Sequence, residues 1–65
     1  MNQAIQDAIW QFGSQNRLAK AVGVSQVAVR KWREGGGMDV RHAQKIEELT
    51  GGKVTAKQIS DGIRR

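Results

Sequence analysis

The segment from Gln15 to Trp32, QNRLAKAVGVSQVAVRKW, constrains the fold of this chain more than any other. Its small and apolar residues have the spacing of two short helices joined by a glycine turn, with Ala19 at the crossing and Gly23 in the turn. Two steeply crossing helices need a small residue where they touch and a turn residue that tolerates a positive φ angle. The segment therefore predicts a helix-turn-helix, in which a larger side chain at Ala19 or Gly23 should push the helices apart.

Glycines divide the rest of the chain, which has no proline and no strand-like alternation, into pieces of helical length and period. Each piece after the first follows a good N-cap residue, and the fifth is so short that it depends on docking to the others. We predict an all-α fold, a compact bundle of four to five short helices in one domain, 1–65. The predicted helices span about 2–12, 15–22, 26–34, 40–50 and 56–63.

Apolar residues at helical spacing identify the faces expected to be buried. They are Ile5, Ala8, Ile9 and Phe12 in the first helix, Val40, Ala43, Ile46 and Leu49 in the fourth, and Ile59 and Ile63 in the fifth.

Composition restricts the class of protein. The 65 residues include no cysteine, no apolar run of membrane-spanning length and no signal-peptide pattern, so we expect a cytoplasmic protein without a membrane partner. His42 is the only histidine and has no catalytic partner at a recognisable spacing. The glycine run at 35–37 lacks the Lys-Ser/Thr of a phosphate-binding loop. We therefore expect no enzymatic activity, no metal and no cofactor.

The net charge of +5 is unevenly distributed. Residues 1–13 contribute −1, residues 14–45 contribute +5 and residues 46–65 contribute +1. The excess coincides with the predicted two-helix unit and the segment after it, as in proteins that bind nucleic acid. The alternative is a solvated basic surface that serves solubility alone.

The outward face of the third helix carries the candidate base contacts. A glutamine amide pairs with adenine, an arginine pairs with guanine, and an apolar side chain contacts the methyl group of thymine. A lysine can reach either a base or a phosphate. The alternative for each of these residues is an ordinary exposed side chain that contacts no DNA. The candidates are Gln26, Val27, Arg30 and Lys31.

Candidate phosphate contacts surround this face. The second helix begins at Gln15, and its N-terminal amides suit a phosphate; Arg41 and His42 begin the fourth helix in a comparable position. Lys20 is expected to be solvated. The full set of candidates is Gln15, Asn16, Arg17, Ser25, Arg33, Arg41 and Lys45.

The two tryptophans have different expected roles. Trp32 shares a helical face with Val29 and points back toward Ala19, so we expect it in the core and not stacked on a base. Trp10 lies off the apolar stripe of the first helix. It either covers the C-terminal helix or joins a subunit interface.

The same residues resemble the small helix-turn-helix repressors of temperate phages, the Cro and lambda-repressor superfamily. The resemblance covers about Ala4 to Ile63, and the segments VGVSQVAVRKWREGG and AQKIEELTGGKVT look closest to short Cro-like and YdaS-like regulators encoded in prophages. Gln15 and Gln26 are similar to the paired glutamines of some members, in which the first braces the second and touches phosphate.

This resemblance implies a transcriptional repressor that binds double-stranded operator DNA as a homodimer on an inverted repeat. The alternative function is that of an antitoxin-type module, which binds a protein partner and binds DNA secondarily. An acidic or apolar partner encoded by the adjacent gene would favour that alternative.

Overall fold

Five helices form the part of the chain that the structure, a computed structural model, describes, residues 1–63. They are α1 (Gln3–Phe12), α2 (Gln15–Val22), α3 (Gln26–Arg33), α4 (Val40–Leu49) and α5 (Ala56–Asp61). No residue in this range lies in a strand, which confirms the predicted all-α class. The last two residues of the predicted domain, 64–65, lie outside the described residues.

Side-chain oxygens cap the N-terminus of every one of these helices. The hydroxyls of Ser14, Ser25 and Thr55 each accept a hydrogen bond from the backbone N–H three residues on. The α4 cap is a carboxylate, that of Asp39, and the α1 cap is the side-chain amide oxygen of Asn2. Because each cap satisfies an N–H that has no partner within the helix, these residues determine where the helices begin.

Four of the approximate helix boundaries differ from those of the structure by one or two residues, because residues assigned to a helix are caps or follow one. The first helix begins at Gln3 since Asn2 is its cap, and the third and fourth end before their C-caps Glu34 and Thr50. The fifth ends at Asp61 and not at residue 63, because Gly62, a poor helix former, is its C-cap.

Each helix contributes one large aliphatic side chain with no exposed surface to a common core. Around these five side chains, α1 packs against α2, α3 and α5, while α4 packs against α2 and α5. Because α3 is held by both α1 and α2, its position is determined by the bundle and not by its own eight residues. The five side chains are Ile5, Leu18, Val29, Ile46 and Ile59.

The apolar stripe of α4 is buried only at its centre. Ala43 and Ile46 lie in the core as predicted, but Val40 is 63% exposed and Leu49 42% exposed. These two residues are the first and last of α4, where the helix is less covered than at its centre. The predicted burial of Val40 and Leu49 is therefore wrong, and Ile63 is only half-buried.

Asn2 is completely buried and connects three helices. Its Nδ2 donates to the backbone carbonyl of Ile59 at 3.0 Å, its Oδ1 accepts from the N–H of Ile5, and its own N–H donates to the carbonyl of Arg33 at 2.8 Å. Gly62 packs against it so closely that a Cβ at position 62 would overlap its amide oxygen. Asn2 thus links the start of α1 to the ends of α3 and α5.

Within residues 1–63, no helix has the length and apolar character needed to cross a lipid bilayer.

Candidate nucleic-acid interface

The turn between α2 and α3 consists of residues 23–25. Gly23 has a φ of 89°, and its N–H and that of Val24 both donate to the carbonyl of Ala19, at 2.9 and 3.0 Å. Ala19 is buried at the contact of the two helices, as predicted. The prediction that a larger side chain at Gly23 would push the helices apart is wrong, since nothing lies within 4 Å of a Cβ built there. Glycine is needed at this position for its positive φ angle.

The two faces of α3 differ sharply. Val29 and Trp32 face the core with 0% and 4% of their surface exposed, which confirms Trp32 as a core residue. The four candidate base contacts all lie on the opposite, exposed face, and Val27 is 49% exposed although it is apolar. The structure thus brings Gln26, Val27, Arg30 and Lys31 together on one accessible helix surface; their contact with bases stays a prediction.

Gln15, the first residue of α2, is bonded to the first residue of α3. Its side-chain Nε2 donates to the backbone carbonyl of Gln26 at 3.3 Å. The brace therefore uses the main chain of Gln26 and does not occupy its side-chain amide. Gln15, Gln26, Val27 and Arg30 line one shallow hollow on the surface.

The N-terminus of α2 is open to solvent beside this hollow. The Ser14 hydroxyl accepts the N–H of Arg17 at 3.1 Å, and the side chains of Asn16 and Arg17 are exposed. A helix N-terminus with a neutral cap and a cation within one turn is an arrangement that suits a phosphate group. Three of the predicted phosphate contacts, at 15, 16 and 17, thus lie together.

The N-terminus of α4 differs because it already holds a carboxylate. Asp39 Oδ1 accepts the backbone N–H of Arg41 at 2.8 Å, and its Oδ2 lies 3.5 Å from Nη2 of the same residue. The backbone hydrogen bond, and then the side-chain hydrogen bond, from Arg41 lower the pKa of Asp39 below its usual 3.8. The sequence identified the cap but not this ion pair.

The first turn of α4 lies beside α3. The ring of His42 packs on the indole of Trp32, with 5.5 Å between the ring centroids and 39° between the planes. Arg33 is half-buried at the end of α3, where its carbonyl accepts the N–H of Asn2, and Lys45 is exposed on α4. The phosphate candidates Ser25, Arg33, Arg41 and Lys45 are therefore carried by different elements around α3.

Trp10 is 84% exposed on the outer face of α1. It does not cover the C-terminal helix, so that interpretation is wrong. Its neighbours one turn back, Gln6 and Asp7, are polar, and the buried residues of α1 lie on the other side of the helix. The participation of Trp10 in a subunit interface stays a prediction.

The described residues thus form a small all-helical bundle, in which a glycine turn joins α2 to α3 and α3 exposes Arg30 and Lys31. A sequence profile for the family described as bacterial toxin YdaS matches residues 5–63. The chain belongs to this family, in agreement with the YdaS-like part of the resemblance. Comparison with curated proteins and with solved structures found no match in either set.

Proposed function

We propose that this protein is a Cro-like repressor that binds double-stranded DNA at a specific sequence, with α3 in the major groove. The observation that carries the proposal is the division of α3 into two faces. Val29 and Trp32 fix the helix in the core, while the four polar, basic and apolar side chains opposite them are free of packing contacts with the core. A helix held rigidly by one face can present the other to the base edges.

The order of side chains along α3 fits base reading. Gln26 begins the helix, where its amide can pair with N6 and N7 of adenine, and Val27 beside it can contact a thymine methyl group. Arg30 follows one turn later and can pair with O6 and N7 of guanine. The exposure of Val27 supports this assignment, because an apolar side chain in water is explained by a partner more readily than by the fold.

Phosphate binding supplies the remaining affinity in this proposal. The α2 N-terminus, with Gln15, Asn16 and Arg17, holds one DNA strand, while Ser25, Arg33, Arg41 and Lys45 add contacts around α3. Four of these seven residues are cations, so a dimer makes about eight ionic contacts with phosphate and the slope of log K against log salt should be about −7. The dimer binds an inverted repeat in the cytoplasm of a bacterial host.

The family description as a toxin is compatible with DNA binding. A protein that occupies promoters of the host inhibits growth when it is produced in excess, without any enzymatic activity. We therefore expect growth inhibition by the wild type to be relieved by Arg30→Ala and retained by Lys20→Ala, since Lys20 is exposed on α2 and lies outside the proposed surface.

A second candidate is an antitoxin-type module that binds a protein. The exposed indole of Trp10 favours it, because tryptophan is the residue most enriched among the energetically dominant contacts of protein interfaces. If this is the main function, Trp10→Ala abolishes the activity of the protein in cells and leaves its DNA binding unchanged.

Selection of bound duplexes from a random DNA library at near-physiological salt tests the proposal. An enriched inverted repeat with half-sites about one helical turn apart supports a dimeric repressor. A single enriched half-site supports base reading by α3 and contradicts binding as a dimer. Binding without any consensus contradicts base reading by α3 and moves the protein-binding candidate to first place.

A further inference from the structure

Val27 is the one apolar residue among the four candidate base contacts of α3. It is the second residue of the helix, and half of its surface is exposed. An apolar side chain makes no hydrogen bond to a base edge, and it costs free energy where it covers polar groups without replacing their bonds. The apolar group that the major groove of unmodified DNA presents is the methyl group of thymine. Val27 therefore suits a base edge that carries a methyl group.

The start of α3 holds Val27 in a defined position. The Ser25 hydroxyl accepts the N–H of Ala28 at 3.2 Å, and the Gln15 side chain donates to the carbonyl of Gln26 at 3.3 Å. The residues on both sides of Val27 are thus bonded. Valine is branched at Cβ and takes few rotamers in a helix. Contact with a methyl group therefore costs Val27 little conformational entropy.

Arg30 lines the same shallow hollow as Val27. Side chains three positions apart in a helix are neighbours on one face, roughly 5–6 Å apart at Cβ. Along the helix axis the two residues differ by about 4.5 Å, and stacked base pairs repeat about every 3.4 Å. Val27 and Arg30 therefore fit neighbouring base pairs, with the methyl-bearing pyrimidine in one and guanine in the next.

We propose that this hollow reads a 5-methylpyrimidine next to guanine, and that it accepts 5-methylcytosine in place of thymine. This inference rests on the proposed function. Thymine and 5-methylcytosine carry the same methyl group and differ at the adjacent ring position, where thymine has an oxygen that accepts and cytosine an amino group that donates. Val27 has no side-chain group that could distinguish the two. Methylation of cytosine thus creates binding sites, and DNA binding depends on the methylation state of the DNA.

Selection from three random DNA libraries tests this proposal. The first library is ordinary DNA, the second has deoxyuridine in place of thymine, and the third has 5-methylcytosine in place of cytosine. We expect ordinary DNA to yield a consensus with thymine beside guanine. That position should accept cytosine as well as thymine in the third library, and its preference should be lost in the second, where no base has the methyl group.

Affinities for synthetic duplexes of the consensus measure the effect of the methyl group alone. Thymine is compared with uracil opposite adenine, and 5-methylcytosine with cytosine opposite guanine, so that the opposite base is constant in each pair. The methyl group should raise the affinity by the same factor in both comparisons. We expect about fourfold for each half-site, which corresponds to the burial of one CH₂-sized group.

Two valine variants assign the effect to a residue. Val27→Ala should abolish both methyl effects. The matched control is Val40→Ala, because Val40 is also an exposed valine in the first turn of a helix. It lines a groove between α4 and α5 that shares no residue with the hollow on α3. Val40→Ala should therefore retain both methyl effects.

Equal affinities for thymine and uracil, or for 5-methylcytosine and cytosine, would overturn the inference. A consensus without thymine beside guanine would also overturn it, as would methyl effects that persist in Val27→Ala. Failure of the proposed function looks different, because ordinary DNA would then yield no consensus at all and base reading by α3 would fail as a whole. If a consensus appears and the methyl group has no effect, only the role of Val27 fails.

Discussion

The side-chain amide of Gln15 donates a hydrogen bond to the main-chain carbonyl of Gln26, 3.3 Å away. This bond joins the first residue of α2 to the first residue of α3, across the turn at 23–25. Gln15 thereby belongs to the proposed phosphate site and also helps to position α3, the proposed base-reading helix. Its loss should affect DNA binding more than folding.

For Gln15→Ala we expect a loss of about 0.5–1.5 kcal/mol in the free energy of unfolding, the net value of one hydrogen bond. The affinity for the selected operator should fall more than the affinity for mixed-sequence DNA, because Gln26 is less firmly placed. Urea unfolding and fluorescence anisotropy measure the two effects. Gln11→Ala, at an exposed position of α1, is the control and should change neither. Equal losses on both DNAs would mean that Gln15 acts only on phosphate.

Base and phosphate contacts should respond differently to substitution. Arg30→Ala should cost about 1–3 kcal/mol on the operator and relax the preference at one base position. Arg17→Ala should weaken binding to all sequences alike and reduce the salt slope by about 1 per subunit. Repeating the library selection and the salt titration with each variant separates the roles. If the two variants behave identically, the division into base and phosphate contacts is wrong.

Glycine is required at position 23 because of its backbone conformation and not because of a lack of space. Gly23→Ala should cost about 1–2 kcal/mol, because its φ of 89° is unfavourable for an L-residue. Gly23→Asn should cost less, since asparagine adopts positive φ more readily. Urea denaturation measures both, and a smaller cost for alanine than for asparagine would contradict this explanation. Ala19→Leu, in contrast, should destabilise by overpacking, typically by about 1–3 kcal/mol.

Asn2 should contribute more to the free energy of unfolding than an exposed asparagine does, because it is completely buried. Asn2→Ala removes both the α1 cap and the donor to the buried carbonyl of Ile59, and should cost about 2–4 kcal/mol. Thermal and urea unfolding measure this loss. Asn16→Ala, an exposed asparagine, is the control and should be close to neutral. A neutral effect of Asn2→Ala would show that water replaces these bonds.

Asp39 should also make stability depend on pH in the acid range. Its pKa in the folded chain is below the usual 3.8. Its contribution to the free energy of unfolding is therefore present above pH 3.8 and is lost as the pH falls through the lower pKa of the folded chain. Asp39→Asn should therefore flatten the decline in urea midpoint on the acid side of 3.8 and leave the neutral range unchanged. An unaltered acid profile would show that Arg41 does not stabilise the carboxylate.

The sequence predicted the helices well because their ends carry local signals. Ser14, Ser25, Asp39 and Thr55 satisfy backbone groups within three residues, so their effect is visible in the adjacent sequence. The exposed candidates on α3 followed from the inward pair Val29 and Trp32, because a helix that buries one face exposes the other. Whether DNA occupies that face depends on a partner that periodicity does not specify.

Contacts between distant parts of the chain were not predictable in this way. The burial of Asn2 depends on a carbonyl 57 residues away, and asparagine is ordinarily an exposed residue. The exposure of Val40 and Leu49 depends on the tertiary packing at the two ends of α4, whereas periodicity identifies only the face. The pairing of Asp39 with Arg41 was missed because side chains two positions apart do not meet within a helix, and Asp39 lies outside it.

The bond from Asn2 to Ile59 can form only late in the synthesis of this fold. Asn2 is made 57 residues before its acceptor, which belongs to α5. Both α2 and α3 are therefore synthesised before this bond can form. A chain interrupted before Ile59 therefore carries every proposed contact residue but lacks the bond that ties the start of α1 to α5.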